Sequence, residues 1–458
     1  MNILQQEPIA ALATAPGIGA IAVLRVSGER AIEITNRLFR GKDLTQQASH
    51  TAHFGTIRDQ ANTVIDEVLV TIFRSPASFT KEDVVEISCH GSEYVIRQIL
   101  RLLLKEGVRM AQPGEFTQRA FLNGQFDLVQ AEAVADLIAA DSEATHRAAL
   151  TQLRGGFSRQ LKALRQQLIE FAALIELELD FGEEDVEFAQ RDDLRQLVWS
   201  IQRVLRPLIE SFSVGNAIKN GVATVLAGKP NAGKSTLLNA LLNEEKAIVS
   251  DIPGTTRDVI EDELFIDGIR FRLIDTAGLR EATDAIEAIG VERTRQQLDK
   301  AAIIVYLFDA AETPLTELEE VRAELQQRSV PYLLIANKMD KLSEEQLAQW
   351  QLQFGNELVA IQANTGNNLD QMTRRLTDFV RSNAVPGSTV VTNLRHYEHL
   401  TQTDAALARV LDGLDAGSTQ DWLAIDLRDA LRHLGELTGE ITTDDLLATI
   451  FSKFCIGK

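Results

Sequence analysis

The stretch GVATVLAGKPNAGKSTLLNALL (221–242) decides the fold of the central part of this chain. VATVLA is apolar and rich in β-branched residues, as in a buried strand, and it leads into GKPNAGKS (228–235), which matches G-x-x-x-x-G-K-S and opens an apolar helix. Backbone N–H groups of such a loop and of the helix that follows point at phosphate oxygens. This order of strand, loop and helix predicts a phosphate-binding loop, and it makes a fortuitous glycine turn a poor alternative.

Individual residues have distinct roles in the predicted site. Lys234 is expected to reach the β- and γ-phosphates, and the Ser235 hydroxyl is expected to bind Mg²⁺. DTAG (275–278) ends a second strand, where Asp275 can act on Mg²⁺ through water and Gly278 can offer its N–H to a γ-phosphate. The other nucleotide contacts predicted in the loop lie at Asn231, Ala232, Gly233 and Thr236.

The motif NKMD (337–340) predicts that the base is guanine. The Asp340 carboxylate can accept hydrogen bonds from both N1–H and the 2-amino group of guanine, a donor pair that adenine lacks. Asn337 and Lys338 are expected to pack around the ring, and Ala363 is expected to contact the base through its backbone. Together these motifs predict a GTP phosphohydrolase.

The polar segment IVSDIPGTTRDVIED (248–262) is typical of a switch loop. Thr256 is its candidate ligand of Mg²⁺ in the triphosphate state, and an ordinary solvated loop is the alternative interpretation. Leu279 directly follows DTAG, and a leucine can neither orient an attacking water nor neutralise transition-state charge. Glu287 is therefore a candidate general base, while nearby arginines could supply charge but are more typical of a surface.

Alternating strand and helix patterns over 221–380 predict a doubly wound, mostly parallel sheet. Within it, LFIDGIRFRLIDTAG (264–278) is interpreted as one extended segment. Residues 1–124 mix strand patterns such as VIDEVLVTIF (64–73) with an amphipathic helix, which indicates an α+β domain. Apolar residues at helical spacing predict one long helix over 128–153, and further helices follow it and occupy the C-terminal segment.

Each helical segment must bury an apolar stripe, so we expect the segments on either side of the central sheet to pack as one bundle. The predicted fold class is a multidomain α/β protein with an N-terminal α+β domain, a helical bundle and an inserted P-loop GTPase domain. The predicted N-terminal domain spans 1–124 and the G domain spans 220–382, while the helical domain consists of 125–219 and 383–458.

Composition limits the class of protein further. The net charge of −20 disfavours long-range attraction to nucleic acid, but residues 1–124 carry 13 basic and 13 acidic side chains, so the N-terminal part is neutral. The two cysteines argue against a disulfide framework and favour a cytoplasmic location. A signal peptide and a membrane span are not expected, because no basic n-region and no run of about 18 apolar residues occurs.

The whole chain resembles the MnmE (TrmE) family of tRNA-modification GTPases. Beyond the nucleotide motifs, the similarity rests on five further strings: APGIGAIAVLRVSG (15–28), FTKEDVVEISCHG (79–91), QPGEFTQRAFLNG (112–124), LDFGEEDVEF (179–188) and FCIGK (454–458). The resemblance implies a homodimer that works with a flavoprotein, MnmG (GidA), in a heterotetramer or larger assembly. Together they would add an aminomethyl or carboxymethylaminomethyl group to C5 of the wobble uridine of certain tRNAs. The carbon donor would be 5-formyl- or methylene-tetrahydrofolate, bound by the N-terminal domain, which would also dimerise.

The resemblance also implies site residues, each at a position that matches a family motif. Folate contacts are implied at Arg25, Glu86 and Lys458, and at Gln125, which stands where the family usually has lysine. Potassium ligation is implied for the Asn231 side chain and for the carbonyls of Ser250, Ile252 and Thr255. The switch loop would contact the nucleotide through Ser250, Thr255 and Thr256, and Glu287 matches the catalytic glutamate.

Cys455 in FCIGK is a candidate for chemistry near the folate carbon, and a structural role is an equal alternative because no base is assigned to it. Cys89 lies in a strand pattern and is expected in the core. Two other functions remain as alternatives for the whole chain. A GTPase switch in ribosome assembly would often carry a KH domain, but its GXXG loop is missing from the C-terminal sequence. A membrane-remodelling GTPase would need a basic amphipathic segment or a lipid anchor, and neither is found.

Overall fold

The computed structural model describes residues 7–180, 190–245, 262–275, 301–382 and 390–457, apart from residues 329 and 418. Contacts divide the chain into two compact units. The first contains residues 1–139, 149–202 and 399–458, and the second contains residues 140–148 and 203–398.

The first unit contains a seven-stranded sheet in the order β3-β4-β5-β6-β2-β1-β7. Neighbouring strands are antiparallel except β1 and β7, which are parallel. The strands are β1 (Ile9–Leu12), β2 (Ile21–Ser27), β3 (Phe39–Arg40), β4 (Thr51–Arg58), β5 (Val64–Phe73), β6 (Val84–His90) and β7 (Arg109–Met110). Helices α1 (Ala31–Leu38) and α2 (Glu93–Lys105) share a core with these strands, so the predicted α+β arrangement is confirmed.

A series of helices follows this sheet along the chain. The N-terminal segment continues with α3 (Glu115–Leu122), α4 (Leu128–Ala139), α5 (Glu143–Leu153), α6 (Gly156–Asp180) and α7 (Arg191–Glu210). The predicted single helix over 128–153 is wrong, because α4 and α5 are separate helices. Ser142 explains the break: its hydroxyl accepts a hydrogen bond from the Thr145 N–H at 3.2 Å and so caps α5.

The second unit contains a six-stranded sheet in the order β13-β12-β11-β8-β10-β9, in which only β9 is antiparallel to its neighbour. The strands are β8 (Val222–Ala227), β9 (Asp262–Ile266), β10 (Ile269–Asp275), β11 (Ile303–Asp309), β12 (Tyr332–Asn337) and β13 (Leu358–Ala360). The connecting and flanking helices are α8 (Phe212–Asn220), α9 (Lys234–Glu245), α10 (Leu315–Gln327), α11 (Glu344–Phe354) and α12 (Leu369–Ser382).

Alternate residues of β11 show that this sheet is covered on both faces. Val305 and Leu307 belong to one apolar core, while Ile304 and Phe308 belong to another. A parallel strand with both faces buried is typical of a doubly wound fold, which confirms the predicted fold class. The single extended segment predicted over 264–278 is wrong, because β9 and β10 form a hairpin. Its two turn residues, Asp267 and Gly268, have φ of 50° and 75°, as a tight hairpin turn requires.

The C-terminal helices are α13 (Leu394–Asp415), α14 (Gln420–Thr438) and α15 (Asp444–Phe451). In the first unit α14 packs along α6, and Arg428 of α14 donates to Glu176 of α6 at 2.7 Å. Within the described residues, no helix is long and apolar enough to cross a membrane.

A buried ion network supports the loop that precedes α3. Glu115 is 7% exposed and receives two hydrogen bonds from Arg109, at 2.6 and 3.0 Å, and one from Arg119 at 3.0 Å. The Gln112 backbone N–H also donates to it at 2.8 Å. Burial alone would raise the pKa of Glu115, but the hydrogen bonds from Arg109 and Gln112 and the charge of Arg119 outweigh it and lower that pKa.

We expect Glu115→Gln to destabilise the first unit by about 3 kcal/mol, because it removes the buried carboxylate that Arg109 and Arg119 share. The longer pairs of Arg109 with Glu7, at 3.2 Å, and of Arg119 with Glu82, at 3.4 Å, remain. Calorimetric unfolding would measure the loss. Glu33→Gln is the matched control, since Glu33 pairs with Arg30 on the surface and should cost less than about 1 kcal/mol.

The pH dependence of this effect follows from the lowered pKa. The stabilisation by Glu115 is complete above the ordinary glutamate pKa of about 4.3. It is lost as pH falls through the lower pKa of the folded state. The difference between wild type and Glu115→Gln should therefore narrow below about pH 4, and a constant difference down to lower pH would contradict the assignment.

Candidate functional site

The predicted phosphate loop connects β8 to α9. Gly228 lies so close to β11 that an added Cβ would come within 1.9 Å of the Leu307 carbonyl oxygen, and its φ is 141°. Only glycine fits there without moving the sheet. Asn231 has a left-handed φ of 66°, a conformation that asparagine tolerates better than most residues. The local sequence therefore suits the bends that this loop makes.

The loop ends at the N-terminus of α9, which begins at Lys234. The Lys234 ammonium donates to the carbonyls of Gly228 at 2.6 Å and of Lys229 at 3.0 Å, so it lies over the loop. Ser235 and Thr236 are exposed in the first helical turn. A helix N-terminus and an ammonium group at one place form a donor set that fits a polyphosphate.

Asn337 joins this loop to the region predicted to bind the base. It ends β12, is 3% exposed, and donates from Nδ2 to the Ala232 carbonyl at 2.9 Å. Its Oδ1 accepts from the Ala363 N–H at 3.0 Å. One buried amide thus connects two loops that lie far apart in sequence.

Lys338 is oriented by a residue that sequence reasoning missed. Its ammonium forms an ion pair with Asp309, at the end of β11, and donates to the Asn231 carbonyl at 3.3 Å. Burial raises the pKa of Asp309, but hydrogen bonds from Lys338 and the Ala311 N–H outweigh this and lower it. The sequence signal for this role is that Asp309 ends an apolar strand pattern, since the carboxyl ends of parallel strands lie at the ligand-binding edge of such a sheet.

Asp340 lies in a one-turn helix, Met339–Lys341, and its side chain is exposed. The Met339 N–H donates to the Ile361 carbonyl at 3.2 Å, so this turn lies beside the loop that contains buried Ala363. The structure therefore brings together the phosphate loop, the NKMD turn and the loop around Ala363.

Asp275 ends β10, and its backbone is the register partner of Leu226 in β8, which leads into the phosphate loop. The remaining predicted residues of this site lie outside the described residues: Ser250, Ile252, Thr255, Thr256, Gly278, Leu279 and Glu287.

A second cluster lies on the sheet of the first unit. Arg25 of β2 and Glu86 of β6 are register partners, and Arg25 donates to Glu86 from Nε at 3.0 Å and from Nη2 at 2.7 Å. The guanidinium carbon lies 5.7 Å from the ring centroids of both Phe79 and Phe116. The two aromatic residues were not predicted, because they approach Arg25 only in the folded chain.

The segment that follows α15 reaches this cluster. The Gly457 carbonyl accepts from Arg25 Nη1 at 3.3 Å, and the Cys455 carbonyl accepts from the Gly114 N–H at 3.3 Å. Cys455 is exposed, whereas Cys89 is buried in the core as predicted. Burial, with the nearby Asp66 carboxylate, raises the pKa of the Cys89 thiol to about 11.

Of the two other predicted folate residues, one is described by the structure, and no described contact joins it to this cluster. Gln125 is exposed, and its backbone N–H donates to the Ala120 carbonyl at 2.8 Å. Lys458 lies outside the described residues.

Comparison with known proteins identifies relatives of the whole chain. Residues 8–125 match a family model described as "GTP-binding protein TrmE N-terminus", and residues 128–455 match one described as "MnmE helical domain". A tRNA modification GTPase MnmE of Cytophaga hutchinsonii is 55% identical over 453 residues, which cover 99% of this chain and 98% of that relative. The protein of the same name from Flavobacterium johnsoniae is 49% identical over 469 residues and covers 100% of both chains. The resemblance is confirmed, and this chain belongs to the MnmE family of tRNA modification GTPases.

Proposed function

We propose that this GTPase uses a tetrahydrofolate one-carbon unit to modify C5 of the wobble uridine of certain tRNAs. The observation that carries the proposal is the meeting of Arg25, Glu86 and the Gly457 carbonyl beside two phenylalanine rings. Folate carries a flat, hydrogen-bonding pterin ring and an anionic glutamate tail. A carboxylate that an arginine holds beside aromatic rings suits the pterin ring.

Each residue has a role that its chemistry supports. The Glu86 carboxylate would accept hydrogen bonds from pterin N–H groups, and the Arg25 guanidinium holds that carboxylate in place. Lys458 follows Gly457 and would supply a positive charge for the glutamate tail. Gln125 can hydrogen-bond without charge, so its contribution to affinity would be smaller.

The nucleotide site would bind and hydrolyse GTP. Lys234 and the N-terminus of α9 would hold the phosphates, while Ser235, with Thr256 of the switch loop, would hold Mg²⁺. Asp340 would select guanine. Asn337 would hold the loop around Ala363 against the phosphate loop. K⁺, held by Asn231 and switch-loop carbonyls, would supply positive charge near the phosphates.

We further propose that the chain acts in the cytoplasm as a homodimer with the flavoprotein MnmG (GidA). In this assignment residues 1–124 bind folate and dimerise, and 220–382 form the G domain. Residues 125–219 and 383–458 form the helical domain. What supports the assignment is the similarity to MnmE proteins along the whole chain.

Deletion of Lys458 should weaken binding of 5-formyltetrahydrofolate by about 10–100-fold, since hydrogen bonds to charged groups contribute roughly 1.5–3 kcal/mol. Calorimetry on the full chain would measure this affinity, and GTP binding should stay unchanged. Arg30→Ala is the control, because Arg30 is exposed and pairs only with Glu33 among its described ion-pair partners. Unchanged folate affinity after the deletion would refute this site.

A further inference from the structure

A cluster of two histidines and a glutamate lies in the first unit, apart from both sites described above. His399 belongs to α13, and His433 and Glu436 belong to α14. Residues three apart on a helix share one face, so His433 and Glu436 both point toward His399. Their nearest side-chain atoms all lie within 4.8 Å of one another.

The three atoms form a nearly equilateral triangle. His399 Nδ1 lies 3.4 Å from His433 Nδ1 and 3.5 Å from Glu436 Oε2, and the third side, from His433 Nδ1 to Glu436 Oε2, is 3.7 Å. The centre of such a triangle lies about 2.0 Å from each corner, which is the mean side divided by √3. Zinc bonds to histidine nitrogen and carboxylate oxygen measure about 2.0–2.2 Å.

We propose that His399, His433 and Glu436 bind one divalent transition-metal ion, with Zn²⁺ as the best fit. Two imidazole nitrogens and one carboxylate oxygen suit zinc, whereas Mg²⁺ and Ca²⁺ prefer sites built from oxygen alone. The side chains are 18%, 12% and 24% exposed, so solvent can reach a fourth position. Bound there, the ion would tie α13 to α14.

Neighbouring charges are arranged to support such an ion. Asp429 Oδ1 lies 3.5 Å from His433 Nε2, and a histidine that binds metal through Nδ1 can donate its Nε2–H to this carboxylate. Asp426 and Asp429 also pair with Arg409, at 2.7 and 2.8 Å. Because Arg409 and Arg432 largely balance Asp426 and Asp429, Glu436 is the carboxylate that would offset the charge of the ion.

Arg432 is the competitor of the metal. Its Nη2 lies 3.0 Å from His433 Nε2, and its Nη1 donates to Glu436 Oε1 at 3.2 Å. When His433 binds metal through Nδ1, its Nε2 carries the proton, so Arg432 Nη2 must leave that nitrogen and keep Asp429, to which it donates at 2.8 Å. Nη1 can stay on Glu436 Oε1, because Oε2 is the oxygen that faces the metal, but the charge of Arg432 still opposes a cation. Removal of Arg432 should therefore strengthen metal binding.

The test uses the full chain, stripped of metal and free of nucleotide, and titrates it with Co²⁺ as a spectroscopic substitute for Zn²⁺. We expect one Co²⁺ per chain with the strong visible absorption of low-coordinate cobalt, displacement by Zn²⁺, and a higher unfolding temperature in Zn²⁺. His399→Gln and His433→Gln should each weaken binding at least about tenfold. Arg432→Gln should strengthen it.

His146→Gln is the matched control, because His146 is exposed on α5 and lies outside the cluster. If His433→Gln prevents folding, Glu436→Gln decides the question, since it keeps the shape of the side chain and removes its charge. Absence of the cobalt spectrum in wild type would overturn the proposal. Binding that survives both His399→Gln and Glu436→Gln would overturn it as well.

Discussion

GTP turnover is expected to fall by about 10³-fold or more when K⁺ is replaced by Na⁺ at equal ionic strength. Charge that develops between the β- and γ-phosphates must be neutralised, and a well-placed arginine is worth about 10³–10⁵ in rate. Leu279 supplies no charge. In our proposal a K⁺ ion supplies it, held by the Asn231 side chain and by carbonyls of the switch loop.

The described part of the loop is compatible with this role. Asn231 is exposed in the phosphate loop, and its left-handed backbone directs its carbonyl to Lys338. The coordination shell of K⁺ also needs the carbonyls of Ser250, Ile252 and Thr255, so the switch loop must be ordered when GTP is hydrolysed. We therefore expect two G domains to pair face to face in that state.

The mutational test compares two substitutions at one position. Asn231→Ala should lose the difference between K⁺ and Na⁺, because it removes the amide oxygen. Asn231→Asp keeps an oxygen and should retain a preference for K⁺. Equal rates in the two salts for wild type would eliminate the idea, as would an alanine variant that still responds to potassium.

The second large effect on GTP turnover concerns the general base of hydrolysis. Glu287→Ala should reduce GTP turnover by about 10²–10⁴-fold, the range typical of lost general acid–base catalysis, with nucleotide affinity preserved. Single-turnover kinetics would measure the chemical step, and equilibrium titration would measure binding. Glu281→Ala is the control from the same acidic segment and should hydrolyse GTP at the normal rate. A near-normal rate for Glu287→Ala would place the base elsewhere.

Local sequence was enough to predict the elements that carry the nucleotide motifs. The phosphate loop lies between β8 and α9 because VATVLA, GKPNAGKS and STLLNALL each have one favoured local structure. Local sequence also encodes the hairpin of β9 and β10, because Asp-Gly between two apolar runs favours a tight hairpin turn. The prediction of one extended segment is wrong because it gave the apolar runs on either side more weight than the two turn residues, Asp267 and Gly268.

Long-range contacts account for the other differences. Asp309 meets Lys338 only because β11 and β12 are adjacent parallel strands. The histidine cluster joins residues 34 positions apart on different helices, a distance at which no periodic pattern links them. Such pairs depend on how helices and strands pack against one another. That packing leaves no regular spacing of residues in a single sequence.

The hydrogen bond from Arg25 to the Gly457 carbonyl spans 432 positions of the chain. During protein synthesis, β2 and β6 can pair long before Gly457 leaves the ribosome. The cluster around Arg25 therefore forms without the C-terminal segment at first. In a nascent or prematurely terminated chain, Arg25 lacks its hydrogen bond to the Gly457 carbonyl. Translation itself thus sets the order of assembly, and this cluster is completed only after Gly457 has been made.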